Sequence, residues 1–127
     1  MRARIVIPNP VLMSKQHANH RSHGGNGHMM FTDREYTNAK KTLKWQAKSA
    51  LAKIGWSKPT ESKVALRISY RANRMNVDNV SGFILDALEG AAYLKDGQVD
   101  LLSVRKRRTG TAWLGISIHT FGGKCEN

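Results

Sequence analysis

The segment Val64-Ala65-Leu66-Arg67-Ile68-Ser69-Tyr70-Arg71 alternates apolar and polar residues without a break. Successive side chains of a strand point to opposite faces, so Val64, Leu66, Ile68 and Tyr70 form a face to be buried, while Arg67 and Arg71 look to solvent. A strand with one apolar face needs a layer laid over that face. Two helical patterns flank it in the chain and supply that layer.

Upstream, Thr32-Asp33-Arg34-Glu35 has the form of a capping box, with a hydroxyl for a free N–H of the first turn and a glutamate reaching back. Tyr36, Ala39, Leu43, Ala47, Ala50 and Ile54 follow at helical spacing, Lys40, Lys41, Lys44 and Lys48 take the other faces, and Gly55 ends the run. Downstream, Asn73 to Val77 read as a turn, and Asp78 reads as the N-cap of a second helix whose apolar set is Val80, Phe83, Ile84, Ala87, Leu88 and Ala91, closing near Gly90. Ile5-Val6-Ile7 reads as a first strand stopped by Pro8-Asn9-Pro10. Val99 to Arg107 and Ala112 to Thr120 read as two more strands, with Thr109-Gly110 suited to a tight hairpin between them.

The order is therefore β-α-β-α-β-β. It predicts an α+β fold of a single mixed β-sheet with two helices packed on one face, in one domain over residues 1–127. Residues 13–30, rich in His, Asn, Ser and Gly, read as a flexible basic loop.

Composition narrows the partners. The 127 residues carry 21 Lys+Arg against 9 Asp+Glu, a formal charge of +12. Phosphate neutralisation supplies most of the affinity in nucleic-acid binding, so nucleic acid is the expected partner. No helix pairs a basic face with bulky apolar residues, no apolar run reaches the ~20 residues of a membrane span, and Met1-Arg2-Ala3-Arg4 has no signal-like core behind it. The expectation is a cytoplasmic protein without a membrane partner. The one cysteine, Cys125, excludes an internal disulfide.

Against this basic background five of the nine acids, Asp78, Asp86, Glu89, Asp96 and Asp100, cluster, and no Lys or Arg lies between Arg74 and Lys95. Hard oxygen ligands beside cationic residues suit a Mg²⁺ site next to a polyanion, where the ion activates water for phosphodiester hydrolysis. Asp78 and Asp96, both at turns, are the candidate ligands, with Arg71, Arg74 and Lys95 placed to hold phosphates. The plain alternative is a helix cap at Asp78 and a turn signal at Asp96-Gly97. Asp86 lies about 12 Å along the helix from Asp78 and suits an orienting or solvent-facing role.

Asn76-Val77-Asp78-Asn79, then Asp86-Ala87-Leu88, then Lys95-Asp96-Gly97-Gln98-Val99 resembles the signature of the RusA-type Holliday-junction resolvases. That family shows Asp-x-Asp-Asn, then Asp-Ala-Leu, then Asp-Asp before a strand. The resemblance extends more weakly over the whole chain and implies a homodimeric, Mg²⁺-dependent endonuclease of bacterial or phage origin that nicks two symmetry-related strands of a four-way DNA junction. It implies catalytic and metal-binding roles for Asp78, Asp96 and the residue at position 76. Three departures stand at that site: Asn76 replaces the first acid, Gly82 stands where a helpful lysine is usual, and Lys95 replaces the first of the paired acids. An amide keeps a carbonyl oxygen but loses the charge, so a weakened or inactive nuclease and a branched-DNA-binding protein that does not cut are both open.

A helix from Asp78 to Gly90 is about 20 Å long, so either the following loop folds straight back or Asp96 meets Asp78 of another subunit. His17, His20, His23 and His28 lack the cysteines and ligand pairing of a structural zinc site; Lys15, His17, His20 and Arg21 suit a DNA-contacting loop instead. Arg105 and Arg107, in the run Arg105-Lys106-Arg107-Arg108, suit phosphate contacts. Trp45, Trp56 and Trp113 are expected in the core or a dimer contact. A small RNA-binding domain is the remaining rival, without an aromatic recognition signature to support it.

Overall fold

The computed structural model describes residues 2–13, 33–72 and 75–124. The elements run β1 (Arg2–Pro8), α1 (Asp33–Lys53), β2 (Ser62–Arg71), α2 (Val77–Leu88), a 3₁₀ turn (Asp96–Gln98), β3 (Val99–Lys106) and β4 (Trp113–Lys124). The expected β-α-β-α-β-β order holds, with the short 3₁₀ turn added before β3. The proposed capping residue Thr32 and the loop of residues 14–32 lie outside the described residues, as does Cys125.

The strands form one four-stranded mixed sheet in the order β1-β4-β2-β3. β1 with β4 and β2 with β4 are antiparallel, whereas β2 with β3 is parallel. The expected hairpin at Thr109-Gly110 is thereby corrected: β3 and β4 are not neighbours, because β2 lies between them. Gly110, at φ 104°, turns the chain as a tight reversal would, but the connection passes over the end of β2, where the Arg107 N–H donates to the Tyr70 carbonyl at 2.7 Å.

Alternation in β1, β2 and β4 puts three aligned rows on one face. Ala3, Ile118 and Leu66 form one, Ile5, Ile116 and Ile68 the next, and Ile7, Leu114 and Tyr70 the third, all buried. Both helices cover this face and share its core. α1 contributes Leu43, Ala47 and Leu51, and α2 contributes Val80, Phe83, Ile84, Ala87 and Leu88, each fully buried. Every member of the apolar set expected for the second helix is buried, Ala91 just beyond its end included. The α1 stripe is narrower than its spacing suggested, since Ile54 is exposed. Of the tryptophans only Trp56 enters the core, its indole N–H donating to the Ala92 carbonyl at 3.2 Å; Trp45 is 70% exposed.

The helices are also joined through polar atoms. Tyr36 of α1 packs edge-on against Phe83 at 5.5 Å and donates its hydroxyl to Asp86 of α2 at 3.0 Å. Tyr93, fully buried, donates to the Leu85 carbonyl at 2.7 Å. Burial pushes both phenols above their ordinary value of 10, helped for Tyr36 by Asp86 and for Tyr93 by Asp96, Glu89 and Asp86.

The folded chain therefore keeps these two protons at a pH where unfolded tyrosines lose theirs, so stability falls as pH rises past 10. Denaturant midpoints measured between about pH 9 and 11 should decline, and the decline should be shallower in Tyr36→Phe and Tyr93→Phe.

Candidate metal and nucleic-acid site

α2 connects the parallel pair β2 and β3, so it begins near the end of β2 and returns the chain to the edge where β3 starts. Asn76 is the N-cap of this helix, with extended backbone (φ −82°, ψ 155°) and its carbonyl accepting the Val80 N–H at 3.1 Å. This corrects the expected cap at Asp78, which falls inside the first turn as the second residue of α2. A carboxylate in a first turn is favoured by the helix dipole, so the sequence there serves α2 as well as any ligand. The Asn76 side chain makes no capping hydrogen bond and the residue is exposed.

Asp96 sits at the other end. It opens the 3₁₀ turn, and its N–H donates to the carboxylate of Glu89, one residue past the last turn of α2, at 3.1 Å. Ten residues of helix separate Asp78 from Leu88, or about 15 Å at 1.5 Å per residue. The loop does fold back, but onto the C-terminal end of α2. Asp96 is brought beside Glu89, and the buried Tyr93 phenol feels Asp96, Glu89 and Asp86 together. Asp78 is left at the far end. Among the described residues no three His, Cys, Asp or Glu side chains gather closely enough to hold a metal ion. Asp86, partly buried, accepts the Tyr36 hydroxyl.

The residue that fixes Asp96 was not picked out from sequence. Gln98 is 4% exposed and uses both ends of its amide. Its Nε2 donates to the carbonyls of Thr60 and Ser62, each at 2.8 Å, and its Oε1 accepts the N–H groups of Leu94 and Lys95 at 2.9 and 2.8 Å. The turn bearing Asp96 is thus tied to the strand entry at β2. The signal in the chain was slight: one glutamine between a turn dipeptide, Asp96-Gly97, and an apolar strand.

The basic candidates divide. Lys95 is exposed beside Asp96, and Arg105 is exposed on β3. Arg71 turns partly inward, one guanidinium nitrogen donating to the Ala72 carbonyl at 3.0 Å and its Nε buried without a partner. Arg107 lies over the Trp113 ring, 5.6 Å from its centroid. Lys15, His17, His20, Arg21 and Arg74 lie outside the described residues. No helix among the described residues is long and apolar enough to cross a membrane.

Residues 9–119 match the family described as Endodeoxyribonuclease RusA, a span that contains both ends of α2, the Asp96 turn and about half of β4. No curated protein matches the chain.

Truncating Gln98 would leave two carbonyls and two N–H groups to find new partners in a largely buried place. Gln98→Ala should cost about 3 kcal/mol and lower Tm by roughly 10 °C in a thermal melt. Gln98→Glu, which sets a buried carboxylate oxygen against the Thr60 and Ser62 carbonyls, should melt no higher than the alanine variant at neutral pH.

Proposed function

The chain belongs to the RusA endodeoxyribonuclease family, and on that premise we propose that it is a Mg²⁺-dependent nuclease acting as a homodimer on Holliday junctions, making paired nicks, with cleavage weakened by Asn76. The observation that carries this reading is the separation of its acids. Asn76 and Asp78 stand at the start of α2 and Asp96 stands beyond its end, and this spacing along the backbone supports two half-sites in each chain.

Two copies related by a twofold axis answer this arrangement. The start of α2 in one copy meets the Asp96 turn of the other, and symmetry repeats the pairing, giving two cutting centres for two symmetry-related strands. Asp78, Asp96 and the Asn76 amide oxygen are hard donors of the kind Mg²⁺ takes, and the ion when bound would activate water and offset charge on the phosphate. Lys95, beside Asp96, suits the scissile phosphate. With an amide in place of a carboxylate at position 76, one charge is missing from the donor set, and this favours as second reading a protein that grips branched DNA without cutting it.

Asn76→Asp restores the charge. Cutting of a synthetic four-way junction at limiting Mg²⁺ should rise by about 10- to 100-fold in this variant. If it binds the junction tightly yet never cuts, the nuclease reading fails; if neither protein prefers a junction over linear duplex, the junction reading fails.

Subunit sharing has its own assay. In the Asn76→Asp background, Asp78→Asn and Asp96→Asn should each be inactive alone. Mixed and re-equilibrated, they should recover single-strand nicking, because a mixed dimer holds one centre with both acids intact. No recovery on mixing would place both acids of a centre in one chain.

A further inference from the structure

Among the described residues, the helices cover one face of the sheet. On the other face, Arg4, Ser117, Arg67 and Ser103 are register partners in turn and form a single row across all four strands. The neighbouring row carries Arg2, His119, Ala65 and Leu101, with Arg2 Nε donating to His119 Nδ1 at 3.2 Å. Strands lie about 4.8 Å apart, so the backbones of Arg4 and Arg67, two strands apart, are separated by roughly 10 Å. Between these residues the sheet holds a groove of about 810 Å³. The Trp113 ring folds over Gly115 on the next row, where any added side chain would collide with it.

Among the described residues no acid lines this groove. Arg4 and Arg67 are exposed and have no ion-pair partner among the described residues. Asp100, the acid of β3, is drawn to Lys63 at 3.8 Å. Leu101, 64% exposed, lies on the same face. A second copy laid face to face would set arginine against arginine. A polyanion meets complementary charge, and Ser103 and Ser117 add hydroxyl donors between the guanidinium groups.

We propose that this open sheet face is a second nucleic-acid surface, which holds the sugar-phosphate backbone of a DNA arm leading away from the cutting centre. The choice of DNA rests on the endonuclease reading above. The polar groups of the groove are guanidinium, hydroxyl and imidazole, which suit contacts to phosphates. The Asp96 turn runs directly into β3, whose outward residues Leu101 and Ser103 border the groove, so one strand joins the two surfaces.

The test measures binding of the whole protein to a four-way junction and to a linear duplex as a function of salt. Each lost phosphate contact lowers the slope of log K against log salt by about 0.9. Arg4→Gln/Arg67→Gln should lose about 1.8 from the slope and bind roughly tenfold or more weakly on both DNAs, while Arg4→Lys/Arg67→Lys keeps the slope. An unchanged slope in the glutamine variant overturns the proposal. So does an unchanged slope with an altered sedimentation coefficient, which would give the face to a second copy. If the native chain neither cuts nor prefers junctions but the slope still falls on duplex, the endonuclease reading fails and the surface stands. Normal cutting with an unchanged slope removes the surface and leaves the endonuclease reading in place.

Discussion

A parallel pair of strands cannot be closed by a tight turn, because the chain must travel back to the edge from which the first strand began. In this protein that return is α2, and its twelve residues set the distance between everything attached to its two ends. Asn76 and Asp78 belong to the outgoing corner, Asp96 to the returning one. Burial of Phe83, Ile84 and Leu88 against the sheet prevents the helix from tilting to shorten that distance, and Gln98 pins the returning corner to Thr60 and Ser62. The same contacts that give the core its stability therefore hold the acids apart within a chain.

The electrostatics of α2 follow from this placement. Asp86 and Glu89 crowd the C-terminal end of the helix, where the backbone dipole disfavours negative charge and no basic residue occupies the last turn. They are stabilised instead by donors brought from elsewhere in the chain, the Tyr36 hydroxyl for Asp86 and the Asp96 N–H for Glu89. Lys95 stands beside the acidic corner, while arginines are carried on the sheet's open face. A charge of +12 thus coexists with a local acidic corner.

What could be read from the chain was whatever depends on local period. Alternation from Val64 to Tyr70 and the helical spacing from Val80 to Ala91 predicted residues that are buried without exception. The errors arose where several local solutions were equally good. Asn76, Asp78 and Asn79 are all capable caps within four positions, and the choice among them is made by where Val80 must bury. Thr109-Gly110 reports that the chain turns, not which strand it turns to meet. Trp45 is solvent-facing because the stripe of Leu43, Ala47 and Leu51 fixes the rotation of α1 and leaves Trp45 on another side. Gln98 closes a capping box with the nearby Leu94 and Lys95 N–H groups, but the Thr60 and Ser62 carbonyls that bury its other end lie more than thirty residues away, where no local pattern reaches.

β4 comes last among the strands along the chain, yet it occupies an interior place in the sheet, with β1 on one side and β2 on the other. Until it arrives, β1 has no neighbour in the sheet and the three buried rows lack their middle members. During synthesis the ribosome must therefore release almost the whole described chain before the sheet can close. The row of Arg4, Ser117, Arg67 and Ser103 is completed only when β4 takes its place, so a nascent chain carries those arginines before the surface that sets them side by side exists.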